Sequence, residues 1–88
     1  MDMTNSFKEQ VRASMHELVR QRGPGKSICP SEVARAVAEE WRQWMPLVRE
    51  VAAEEMRAAR LLVTQKGKPV APETARGPIR LALYTSST

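Results

Sequence analysis

Apolar positions recur at helical spacing three times along the chain and then change period. Phe7, Val11, Met15, Leu18 and Val19, with Ser14 among them, fall on one face at about 100° per residue. Ser6-Phe7-Lys8-Glu9 reads as a capping box, so the first helix is expected to open at Ser6, with residues 1–5 frayed. Gly23-Pro24-Gly25 closes it near Arg22, supplying a left-handed C′ residue and a breaker. Ser27-Ile28-Cys29 is long enough only for a β-bridge. Pro30 then fits the first position of a second helix, with Cys29 as N-cap and Glu32 at N3. That helix is expected to run to about Glu40, burying Val33, Ala34, Val37 and, at its end, Trp41. A short turn holds Trp41 to Trp44. Pro46 opens a third helix that ends near Ala59, with Val48, Val51, Ala52, Met56 and Ala59 as its apolar stripe.

From Leu61 the period becomes two. Leu61 and Val63 point one way, Leu62 and Thr64 the other. A second strand follows Pro78, with Ile79, Leu81 and Leu83 toward the core and Arg80 and Tyr84 away from it. The connection, residues 66–78, is long for a hairpin and is predicted to hold one helical turn at Pro72-Glu73-Thr74-Ala75 before Gly77. Residues 85–88 form a polar tail. Three helices with a tight helix–turn–helix, followed by a two-stranded ribbon, is the order of a winged helix. The expected fold is therefore α+β, mostly helical, in one domain spanning 1–88.

Four stretches resemble the signature blocks of a small bacterial family of domains of unknown function. They are Cys29-Pro30-Ser31-Glu32-Val33-Ala34-Arg35; Met45-Pro46 with Val48-Arg49; Val63-Thr64-Gln65-Lys66-Gly67; and Ala75-Arg76-Gly77-Pro78-Ile79-Arg80. The resemblance runs from about Phe7 to Leu83. It implies the winged-helix fold and no function, since that family has none established. Two positions depart from the pattern. Ala71 stands where a capping Asp is usual, losing a cap worth about 1 kcal/mol, and Ala59 stands where a Gly usually ends the helix.

Charge sharpens this picture. The net charge of +4 lies wholly in residues 60–88, where Arg60, Lys66, Lys68, Arg76 and Arg80 face only Glu73. A basic ribbon after a helical block fits an anionic partner, and duplex DNA is the expected one. The expected contacts are Lys66, Lys68, Arg76 and Arg80, with Gln65 and Arg49 secondary. The third helix carries Arg49, Glu50, Ala53, Glu54 and Arg57 on its outward face. Its charges cancel there, so base readout should be weak, and a protein partner on this face is the rival reading.

Other chemistry finds little support. Gly25-Lys26-Ser27 mimics the end of a P-loop, but Arg20 occupies the place of the first glycine and a helix precedes the loop. No His, Cys or acidic cluster has metal-ligand spacing, and His16 with Cys29 lacks the context of a nucleophile pair. No enzyme and no cofactor are expected. A single cysteine, no apolar signal segment and no run long enough to span a bilayer point to the cytoplasm and away from membranes. Trp41 and Trp44 read as packing residues. Glu55 falls inside the apolar stripe of helix three and is expected at the edge of the core, paired with an Arg, where exchange for Leu would be harmless.

Overall fold

The computed structural model describes the backbone of residues 3–84 and the side chains of residues 6–84. Three α-helices, α1 (Met3–Arg22), α2 (Pro30–Val37) and α3 (Met45–Arg57), pack against a sheet of four short strands: β1 (Ser27–Ile28), β2 (Leu61–Gln65), β3 (Lys68–Pro69) and β4 (Arg80–Leu83). A 3-10 turn over Trp41–Trp44 joins α2 to α3. The sheet order is β1-β4-β2-β3, antiparallel throughout. The fold is thus α+β. Leu81 sits opposite Val63 and Ile28, so one buried row crosses three strands.

The apolar stripes meet in one core. Val11, Met15 and Val19 come from α1, Val33 and Ala34 from α2, and Val48, Val51 and Ala52 from α3. They close over Leu61, Val63, Ile79 and Leu81, each at 0–1 % exposure. Each such Val, Leu or Ile contributes about 1.5–3 kcal/mol by leaving water. Phe7 meets Trp44 at 4.6 Å between ring centroids with the rings tilted by 55°, and Trp41 packs against the same core.

Several boundaries differ from expectation. The α1 helix starts at Met3, so Ser6 lies inside it and is not its cap; no Gly or Pro precedes Ser6 to stop the helix. The expected fraying of Met1 and Asp2, and the tail at 85–88, lie outside the described residues. The α2 helix stops at Val37, with Ala38 extended at φ −156°, well short of Glu40. Continuing it would set Glu39 and Glu40 in the last turn, against the negative end of the helix dipole. Its start is as expected: the Cys29 amide donates to Glu32 Oε2 at 2.9 Å.

The end of α3 is built on Ala59, which is exposed at φ 58° and does not belong to the apolar stripe. The Arg60 amide donates to the Glu55 carbonyl at 2.9 Å and the Ala59 amide to that of Met56 at 3.0 Å, a Schellman closure. Ala53, expected to face outward, is 3 % exposed. The ribbon also reverses earlier than its loop length implied. Lys66 (φ 52°) and Gly67 (φ 81°) form a two-residue turn that pairs Gln65 with Lys68 and Thr64 with Pro69.

Candidate nucleic-acid interface

The basic ribbon is shaped by donors that hold its backbone from two sides. After the Lys66–Gly67 reversal, the Val70 amide bonds the Val63 carbonyl at 3.1 Å. Pro72 is buried, and the predicted turn forms there: the amides of Thr74 and Ala75 reach the Ala71 carbonyl at 3.2 and 2.9 Å. Arg49 on α3 extends its guanidinium to the carbonyls of Pro72 (3.2 Å), Ala75 (2.9 Å) and Gly77 (2.7 Å). The Gln65 amide group donates to the carbonyls of Arg76 and Pro78, the latter at 3.1 Å. Arg57 pairs with Glu73 at 2.8 Å, fastening the same segment to the end of α3.

These contacts leave an open groove of about 810 Å³ lined by Gln65, Lys66, Lys68, Arg76, Pro78 and Arg80. Five of the six expected contact residues therefore share one concave surface. Arg49 is absent from it and lies on the α3 side of the segment. The five are not equivalent. Arg80 turns back into the domain, donating to the Ser27 hydroxyl (2.9 Å), the Ser27 carbonyl (3.0 Å) and Cys29 Sγ (2.7 Å). Lys66, Lys68 and Arg76 are exposed and, among the described residues, have no carboxylate or side-chain hydrogen-bond partner.

Most remaining cations are matched. Lys8 meets Glu50 (2.9 Å) and Glu54 (2.6 Å); Arg12 meets Glu54 and Glu55, each at 2.7 Å. Arg20 pairs with Glu17 and Arg22 with Glu32. Arg35 and Arg42 stack on Trp41 at 4.5 and 4.6 Å. Glu55 itself is 0 % exposed, so the expected place at the core's edge is wrong. It accepts from Arg12 (2.7 Å), from Arg60 Nε (3.0 Å) and Nη2 (2.7 Å), and from His16. Hydrogen bonds from Arg60, then His16 and Arg12, outweigh burial and hold its carboxyl down at about 2. An ionised carboxylate can only accept, so His16 Nε2 carries the proton of that bond.

His16, Arg12 and Lys8 were not singled out as members of this cluster. A signal for it existed: the three stand four residues apart on one line of α1, opposite Glu50, Glu54 and Glu55 on α3. His16 faces Glu55 while Cys29 faces Arg80, so the two do not meet. Among the described residues, no group of three or more His, Cys, Asp or Glu side chains is placed to hold a metal ion. No helix among them is long and apolar enough to cross a membrane.

The architecture is that of a small α+β domain with a basic, exposed ribbon. The chain belongs to the family of proteins of unknown function DUF3253, whose model matches residues 8–84. No curated protein matches it.

Proposed function

We propose that the chain is a winged-helix module that binds duplex DNA through its wing, working in the bacterial cytoplasm. In this reading α2, the 3-10 turn and α3 are the helix–turn–helix, and β2, β3 and β4 with their connection are the wing. The observation that carries it is the grouping of Lys66, Lys68 and Arg76 on one groove, free of internal partners while most other cations are matched. Free cations on a ribbon meet phosphates without losing an existing ion pair. The groove contains no aromatic side chain, so it lacks the stacking platform that unstacked single strands use. Glu50 and Glu54 on α3 are tied to Lys8 and Arg12, which leaves that helix little means of reading base edges.

If three or four phosphates are contacted, log K for random duplex DNA should fall with log salt at a slope of about −3. Changing Lys66, Lys68 and Arg76 together to Ala should flatten that slope. Absence of wild-type binding at about 50 mM salt, or equal affinity in the triple variant, would overturn the reading. A second reading, a winged-helix protein-interaction module, draws on a groove of about 500 Å³ on α3, where Met45, Pro46 and Ala53 lie among Arg49, Glu50 and Arg57. A partner bound there would be lost on Pro46→Arg, an exposed position of that groove, and indifferent to the triple wing variant.

A further inference from the structure

Five carbonyl oxygens of the segment before β4 converge on two side chains. Arg49 takes those of Pro72, Ala75 and Gly77, and Gln65 takes those of Arg76 and Pro78. The carbonyl of Arg76 and both its neighbours are therefore fixed. The amides of Arg76 and Gly77 donate to no backbone carbonyl among the described residues. The segment has no strand pairing of its own, and Gly77 sits at φ 86°. Ordering the backbone of one such residue costs about 1–2 kcal/mol, a cost that falls at the moment of binding unless the free protein has already met it.

We propose that Arg49 and Gln65 are positioning residues for Arg76. They hold residues 75–78 so that the Arg76 guanidinium is set for a phosphate group on the same groove as Lys66 and Lys68. This inference rests on the DNA reading above. It also changes the roles expected for Arg49 and Gln65, from touching the duplex to shaping the residue that does.

Gln65 supplies the cleanest test, because it is uncharged and its removal releases no counterion of its own. In salt titrations with random duplex DNA, Gln65→Ala should make the slope shallower by about one, as should Arg76→Ala, with no further change in the double variant. One lost unit means an about 4-fold smaller loss of affinity between about 50 and 200 mM salt. Arg49→Ala should behave likewise and add nothing to Arg76→Ala, whereas a direct Arg49–phosphate contact would add a second unit. Arg49→Lys should not rescue, since an ammonium lacks the planar fork that reaches three carbonyls. In the free protein, amide exchange at Thr74 and Ala75 should accelerate in Arg49→Ala. Wild-type binding whose slope Gln65→Ala leaves unchanged would overturn the positioning role and spare the DNA reading. No wild-type binding, together with accelerated exchange, would sink the DNA reading and uphold the clamp. Unchanged exchange in Arg49→Ala would overturn the clamp whatever DNA does.

Discussion

Two sets of basic side chains in this molecule have opposite fates. Lys8, Arg12 and Arg60 meet Glu9, Glu50, Glu54 and Glu55 and tie α1 to α3 and to the start of β2. Lys66, Lys68 and Arg76 meet no carboxylate among the described residues and stand around an open groove. The first set is electrostatically closed, and its worth lies in stability. The second is open, and its worth lies in what it can still attract. A count of charges does not separate them, because both sets are equally basic. What separates them is whether acidic residues lie on the facing element. The α3 helix supplies three to the first set, whereas Glu73, which stands in the segment between Lys68 and Arg76, is taken by Arg57.

The largest expected effect tests the closed set. Glu55 is fully buried and accepts from three side chains, so Glu55→Gln removes a charge from a satisfied network and leaves Arg60 facing a neutral amide. Breaking a buried pair costs about 3–5 kcal/mol. Arg60 is half exposed and can turn to water, so about 3 kcal/mol is expected. In a domain of this size that is a fall of more than about 10 °C in melting temperature. Glu55→Leu should be no better, contrary to what a residue at the core's edge would allow. A melting temperature within about 2 °C of wild type in either variant would break the comparison from its closed side.

Acid sharpens the same point. The Glu55 carboxyl is held at about 2 in the folded protein against an ordinary 4.5, so the folded state binds its proton less readily than the unfolded chain. Its contribution is present in full above the unfolded value and is lost as pH falls through the folded one. By linkage this amounts to about 3 kcal/mol, disappearing between about pH 4.5 and about 2. Urea unfolding across that range should show wild type and Glu55→Gln converging as pH falls. Parallel curves would mean that the carboxylate is not held down by its arginines.

How much of this was legible beforehand follows from what a helical wheel or a strand period can carry. The buried face of α1, Val48, Val51 and Ala52 on α3, Gly23 as the close of α1, Glu32 at N3 of α2 and the turn at Pro72 all follow from local spacing, and the structure has them, whereas Ala53 and Ala59 exchange the places expected of them. Glu55 was seen to be out of pattern. A wheel gives a face and not a partner, however, and two of the three partners, Arg12 and His16, lie about forty residues earlier on α1. The Lys66–Gly67 reversal was hidden because β3 is only two residues long and one of them is proline. Arg49, Gln65 and Arg80 were read as free because sequence shows charges and amides but not the backbone carbonyls and the serine that take up their protons.

A smaller effect lies at the joint between the two sets. Ala59 holds φ 58° to close α3, and an L-residue there costs roughly 1–2 kcal/mol that glycine does not incur. Glycine gives part of this back through its greater freedom in the unfolded chain, so Ala59→Gly should stabilise by about 0.5–1 kcal/mol. The melting temperature should rise by a few degrees. Because the Schellman closure also delivers Arg60 to Glu55, the change should leave the acid dependence intact. Unaltered affinity for DNA alongside higher stability would show that the closed set can be strengthened without touching the open one. A lowered melting temperature would mean that the left-handed turn is not what closes the helix.

The smallest expected effect is the counterpart of the first. Lys66, Lys68 and Arg76 are exposed and make no side-chain contact with an acceptor among the described residues, so changing all three to Ala removes no internal interaction. Exposed substitutions of this kind usually fall within about 0.5 kcal/mol each. Removing three like charges from one groove also relieves mutual repulsion, which opposes any small loss. The melting temperature of the triple variant should therefore stay within a few degrees of wild type and rise slightly at low salt, where that repulsion is least screened. Lys66 is the member to watch, since it occupies φ 52° at the hairpin turn. There Lys66→Asn, a residue that tolerates this conformation better, should stabilise where Lys66→Ala does not. A fall of more than about 10 °C in the triple variant would show that these cations have internal work after all, and would remove the distinction between a matched set that holds the fold and an unmatched one left for a partner.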